Sequence, residues 1–301
     1  MFWVLMSVHV NAQKDSIAGY YFLDAVEIVA SDDLDAKQFI DQVRSDTTFY
    51  KAFLNLRYYT HHSNGNLTVY NKNEAEKGKL EREAEHQKEQ GRFWVNVTAE
   101  KTNGRIRKKN GEWRYYTAHL FDHAFYPADT LTPNNTVGDL HSKKEHDRRM
   151  DKHKHDIRLM MFNPGAGISG VPIVGKKMGI FDDEMVPYYD YKIWEFRYQD
   201  SIPCYAFTCK AKPEFKEDKT VVKDLTSYFR KSDLAIMKRE YHLRYTSILF
   251  QFDVHIQVNL TNIDGVLVPT QVHYNGFWDV PAKKAEYISF RLDCSNFEIQ
   301  E

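Results

Sequence analysis

Asp253 and His255 stand two residues apart in "LFQFDVHIQVNL", a spacing that turns both side chains to one face of an extended strand. A carboxylate beside an imidazole can do general acid–base work, and on the wet side of a strand the two could line a cleft. Asp182, Asp183 and Glu184 form a second acidic group that could act as an acid–base pair or hold a cation. They sit just ahead of Pro187, where carboxylates are ordinary turn residues. A third group joins His141, His146, His153 and His155 with Asp147, Asp151 and Asp156. A zinc pair on one helix face needs histidines four apart, whereas these are spaced by five and by two. The seven Lys and Arg residues between 141 and 158 would also repel a cation, so this stretch reads as a solvated basic helix.

Two further patterns invite a chemical reading and then weaken. Gly165, Gly167 and Gly170 match the G-x-G-x-x-G spacing of a dinucleotide loop, which must open a helix whose first amides receive the pyrophosphate. Here Pro164 precedes the motif, and Pro172, Gly175 and Gly179 interrupt the place of that helix, so the run is a structural connection between two halves of the chain. The segment "KTNGRIRKKNGEWR" carries six basic residues against Glu112, with Trp113 and Tyr115 nearby. It could stack bases or meet an anionic surface, but it reads first as an exposed hairpin. The chain has no G-x-S-x-G nucleophile elbow and no cysteine in a catalytic setting. No catalytic residue, metal or cofactor is assigned.

The elements that must position these groups are mostly strands. Phe250, Phe252, Val254, Ile256, Val258 and Leu260 alternate with Gln251, Asp253, His255, Gln257 and Asn259, giving one dry and one wet face. Ile288, Phe290, Leu292 and Cys294 alternate in the same way with Tyr287, Ser289, Arg291 and Asp293. Between Tyr188 and Phe297 about six such strands follow one another with short turns and no crossover helix, the pattern of an antiparallel meander. Asn64-Gly65, Asn103-Gly104, Asn110-Gly111 and Asp264-Gly265 read as hairpin turns, and Phe93, Val95, Val97 and Ala99 mark a strand between them. Ahead of these, Ala36, Phe39, Ile40 and Val43 recur at helical spacing behind the capping residues Ser31, Asp32 and Asp33. Residues 72–92 hold six Lys/Arg and six Glu and are polar nearly all round, which predicts a solvated helix projecting from a hairpin. Residues 140–158 are expected to form a second helical insertion. The fold class expected is therefore α+β, mainly antiparallel β, with an N-terminal helix and charged helical insertions covering a curved meander.

Bulk properties fit this picture. A chain of 301 residues with 14% aromatic content can bury a large core, and a formal net charge of -1 does not favour a nucleic-acid partner. Cys204, Cys209 and Cys294 are an odd set, so no disulfide framework carries the fold; a bridge to Cys294 and buried free thiols both remain compatible with the spacing. Residues 1–12, apolar from Phe2 to Val10 and ending in Val10-Asn11-Ala12, resemble the core and cleavage site of a signal peptide, although no positive n-region precedes them. Export is the expectation, with residues 17–299 as a single domain. No later run approaches the roughly 20 apolar residues of a membrane-spanning helix.

Several stretches carry a family resemblance: "DYKI", a strand ending in "PE" before a long hairpin, "DLAIMKREY", "DGVLVP", and the opening helix "AKQFIDQVRSD". Together they resemble the lipoprotein-sorting superfamily of Gram-negative envelopes, with the LolA/LolB-like fold, and within it the uncharacterised secreted members. The resemblance covers about the last 115 residues well and the first half loosely. It implies a strongly curved antiparallel half-barrel closed by helices around an apolar cavity, and a location in the periplasm or at the outer membrane. It further implies a non-enzymatic binding protein whose partner is a lipid or a lipoprotein acyl chain. On that reading the dry faces would line the cavity through Phe250, Phe252, Val254, Ile256, Ile288, Phe290 and Leu292. The charged insertions and the glycine connection depart from the family pattern. An envelope hydrolase using Asp253, His255 or the Asp182–Glu184 group is the alternative, and a structural interaction module a third.

Overall fold

The computed structural model describes residues 26–29, 34–134, 162–165, 174–247, 251–279 and 284–298. The signal-like segment 1–12, the insertion 140–158 with its histidines, Phe250, and Gly167 and Gly170 of the glycine motif lie outside these residues.

Among the described residues, eleven strands form one open sheet: β1 (Val26–Val29), β2 (Thr60–Tyr70), β3 (Glu76–Glu89), β4 (Arg92–Gly104), β5 (Tyr189–Tyr198), β6 (Ile202–Ala211), β7 (Val222–Arg230), β8 (Ile236–Thr246), β9 (Gln251–Ile263), β10 (Val266–Asp279) and β11 (Glu286–Glu298). Their order is β1-β5-β6-β7-β8-β9-β10-β11-β2-β3-β4, and its two ends are not paired with each other. All neighbours run antiparallel except β1, which lies parallel to β5. The fold is an α+β half-barrel. Its C-terminal part is the expected meander with seven strands, β5 to β11, where about six were expected. The early strands β2 to β4 join this meander through β11, so the last strand of the chain closes onto the first hairpin.

Among the described residues, three helices cover the concave face: α1 (Ala36–Ser45), α2 (Thr48–Asn55) and α3 (Tyr116–Phe125). The helical spacing in α1 is realised, with Phe39, Ile40 and Val43 buried, and its first turn is capped by Asp35, whose carboxylate accepts from the Gln38 amide at 2.9 Å. The N-terminus of α3 is capped from a distant strand: both carboxylate oxygens of Glu286 accept from α3, one from the Tyr116 amide at 2.7 Å, the other from the Thr117 amide at 3.0 Å. A buried carboxylate satisfies two orphan amides at once and complements the positive end of the helix. One hydrophobic core joins the three helices to the inward rows of the sheet.

Three sequence expectations need correction. Asn103-Gly104 is not a hairpin turn but the end of β4, paired with Lys79 and Gly78 of β3. Residues 76–89 form β3 instead of a projecting helix. Gly78, Leu80, Arg82, Ala84 and His86 face inward and are buried, while Lys79, Glu81, Glu83 and Glu85 face solvent. The alternation is genuine, but Arg82 and His86 occupy inward positions, so hydropathy does not reveal it. Asn64-Gly65 is likewise not a turn; it lies within β2, paired with β11 and β3. A Cβ on Gly65 would stand 2.2 Å from the Tyr126 hydroxyl, so the glycine makes room for a side chain instead of bending the chain. Asp264-Gly265 does form the hairpin between β9 and β10, both residues having positive φ (48° and 83°).

Candidate functional site

Where α2 and α3 meet the concave face over β2, β3 and β11, they leave a narrow cleft with a cavity of ≈ 40 Å³, partly open to solvent. Helix α2 contributes Tyr50, Phe53 and Leu54, which the i, i+3, i+4 spacing places on one face; Arg57 follows in the next turn. Ala124 and Phe125 come from the end of α3, Phe93 from β4, Leu292 and Cys294 from β11, and Phe162 from the segment after residue 161. The aromatic wall is tightly packed: Phe53 and Phe162 have ring centroids 4.4 Å apart, and Phe125 meets Phe162 edge-on at 5.8 Å.

His61 of β2 and His86 of β3 lie in the wall of the cleft, directly opposite each other in register. Their rings stack at 4.1 Å, and Phe297 stacks on the other side of His61 at 5.1 Å. Nδ1 of His61 lies 3.0 Å from the Tyr59 carbonyl. A carbonyl can only accept, so this contact assigns the Nδ1–H tautomer. Burial pushes the His61 pKa down to about 4; for His86, burial and the neighbouring histidines push it to about 2. Both rings are therefore neutral at ordinary pH, and this part of the wall carries no charge.

His86 Nε2 lies 2.7 Å from the Ser63 hydroxyl, a distance suited to a nucleophile and its base. The chemistry does not follow from the distance. Ser63 is fully buried, and a histidine with so low a pKa is too weak a base to take its proton at neutral pH. The Cys294 thiol, pushed up to about 12 by burial, is not a thiolate nucleophile either. Cys204, Cys209 and Cys294 are all free and buried.

The remaining sequence-derived residues fall as follows. Phe252, Val254, Ile256, Ile288, Phe290 and Leu292 are all buried on the concave side, and Leu292 reaches the cleft itself. Phe290 stacks on Phe121 of α3 at 4.0 Å, and Phe252 on Trp278 at 4.9 Å, so these two pack in the core. Asp182, Asp183 and Glu184 form an exposed turn before β5. There, partial desolvation by neighbouring protein atoms and the acids Asp183 and Glu184 raise the Asp182 pKa. Gly165 has φ +92° and its carbonyl accepts from Ile180, as befits a connection. Asp253 and His255 stand on the solvent face of β9 beside His242.

Sequence reading missed His61, His86 and the aromatic set from α2. Period-two spacing in "THHSNGNLTVY" and "KLEREAEH" was the available signal, obscured because the inward residues are polar.

No protein-family model matches the chain, and no curated protein matches it. Among solved structures, the chain is similar to a LolA superfamily protein from Nitrosomonas europaea at 12% identity, covering 85% of this chain and 93% of that one, with a TM-score of 0.26. It is also similar to a domain named for outer membrane lipoprotein sorting from Vibrio parahaemolyticus at 8% identity, covering 87% and 91%, with a TM-score of 0.28.

Proposed function

We propose that this chain is an exported binding protein of the cell envelope that takes an apolar group, of the size and chemistry of an acyl chain, into the cleft between α2, α3 and the sheet. The observation that carries the reading is the lining: Phe53, Leu54, Phe93, Phe125, Phe162 and Leu292 surround a cavity of ≈ 40 Å³, narrower than an acyl chain needs, so the helices must part to admit one. The uncharged histidine pair suits the apolar chain of the guest, because a charge brought against these two rings would find no opposite charge there, while Arg57 gives the cleft a positive group that suits an acidic head. The half-barrel architecture suits the task, since helices packed on a dry concave surface can part slightly without breaking sheet hydrogen bonds. The segment 1–12 supports export, and the lipoprotein-sorting resemblance supports an envelope lipid or lipoprotein as the source of the acyl group.

The test is binding of a fluorescent fatty-acid probe, together with native mass spectrometry of gently purified protein. Wild type should bind one probe per chain and carry lipid mass. Ala124→Trp, which fills the cleft from α3, should weaken probe binding at least tenfold while leaving the circular dichroism spectrum unchanged. A wild type that takes up no probe, or a folded Ala124→Trp variant that binds as wild type does, would overturn the reading.

A further inference from the structure

On the opposite, solvent-facing side of the sheet, strand register draws a second group of side chains together. Asp224 of β7 is paired with His242 of β8, and His242 with His255 of β9, so the three form one row across the sheet. Asp253, the next solvent-facing residue on β9, lies diagonal to His242. The ligand atoms of His242, Asp253 and His255 all fall within 4.8 Å of one another. His242 Nε2 lies 2.7 Å from Asp253 Oδ1, and His255 Nε2 lies 3.4 Å from the same oxygen. The two imidazoles stack with centroids 3.8 Å apart.

We propose that His242, Asp253 and His255 form a binding site for a divalent transition-metal ion of the zinc class. Two imidazole nitrogens and a carboxylate oxygen are the donor types that zinc prefers, and three protein ligands leave a fourth position for water. Bond lengths of about 2.0–2.2 Å place tetrahedral ligand atoms about 3.3 Å apart. The two distances to Asp253 Oδ1 bracket that value, so only a small opening of the cluster is needed. His255 can supply it: its side chain is 61% exposed, and turning it out of the stack would let its nitrogen lone pair converge with Asp253 Oδ1 on an ion between them. Asp224 Oδ2 stands 3.6 Å from His242 Nδ1, on the ring edge away from Asp253. It would orient His242 by taking the Nδ1–H, the part that carboxylates play behind metal-bound histidines. Arg244 approaches the other oxygen of Asp253, Oδ2, at 3.6 Å and is itself drawn toward Glu217 at 3.5 Å, which leaves Oδ1 to the metal. The site does not depend on the cleft, which lies on the other face.

Titration of the intact, tag-free chain with zinc chloride by calorimetry tests the proposal. Wild type should show a saturable site of one ion per chain. His255→Ala and Asp253→Asn, both changes at the solvent face, should weaken that site at least tenfold, and His255→Cys should restore most of the affinity. Cobalt(II) should give a visible absorption band in wild type that is lost in His255→Ala. Absence of saturable zinc binding in wild type would overturn the proposal. So would equal binding by folded variants, which would place the ion elsewhere, for example on the His141–His155 stretch.

Discussion

Single side chains in this protein set conditions that the sheet alone does not. His61 and His86 are neutral imidazoles held inside the half-barrel, with pKa values pushed down to about 4 and about 2 by burial, against about 6.5 in an unfolded chain. Well above pH 6.5 neither state binds the proton, and the pair has no effect on the pH dependence of stability. As pH falls below 6.5 the unfolded chain takes up protons that the folded chain refuses. Stability then drops by up to about 1.4 kcal/mol per pH unit for each histidine. The loss from His61 continues down to about pH 4, and that from His86 down to about pH 2. Between pH 7 and pH 4.5, His86 alone should therefore contribute roughly 2–3 kcal/mol of destabilisation. Urea unfolding of His86→Gln at the two pH values should show a smaller acid loss than wild type by about that amount. Parallel curves would mean that the folded ring accepts a proton after all.

At the scale of elements, the helices are tied to the sheet by a few buried polar links as well as by apolar contact. Asp46, at the junction of α1 and α2, accepts from the Thr48 amide at 2.9 Å and pairs with Arg239 of β8 at 3.2 Å. Arg239 also donates to Ser227 of β7 at 2.8 Å and lies 4.3 Å over the ring of Phe49 in α2. Both members of the ion pair are buried, so removing one strands a charge away from water. Arg239→Met should cost about 3–5 kcal/mol in urea unfolding, and adding Asp46→Asn to that chain should recover more than half, because the amide keeps its oxygen acceptor for α2 without the charge. A second change that merely adds to the first would show that the two charges are not coupled. The same elements show what the sequence discloses. Helix α1 and strands β9 and β11 were legible because their buried residues are apolar and fall at one clear period. Strand β3 was not, since Arg82 faces inward and is satisfied there by Glu100 and Asp122, contacts that only the folded chain reveals. Gly65 was read as a turn for a related reason: its role is to admit Tyr126, a neighbour distant in sequence. The cleft inherits both difficulties, because its histidines come from β2 and β3, whereas its apolar partner Leu292 was visible in β11.

For the molecule as a whole, the pairing of β11 with β2 makes the two halves of the chain parts of one structure. The cleft spans that seam: Tyr50, His86 and Phe125 come from the first half, Leu292 and Cys294 from the last strand. A guest in the cleft therefore touches both halves and should stabilise them together. By mass action, a ligand at a hundred times its dissociation constant adds about 2.7 kcal/mol to the unfolding free energy of a protein that binds it only when folded. Saturating fatty-acid probe should thus raise the unfolding midpoint of wild type, and leave that of Ala124→Trp in place. Tryptophan fluorescence gives a local check, because Trp94 and Trp113 report on the first half and Trp194 and Trp278 on the second. A single transition, coincident between fluorescence and far-ultraviolet circular dichroism and displaced as one by the probe, is the outcome expected of an undivided core. Displacement of an early or late phase alone would mean that the β11–β2 seam opens before the sheet unfolds, and that the guest is held by only one side of it.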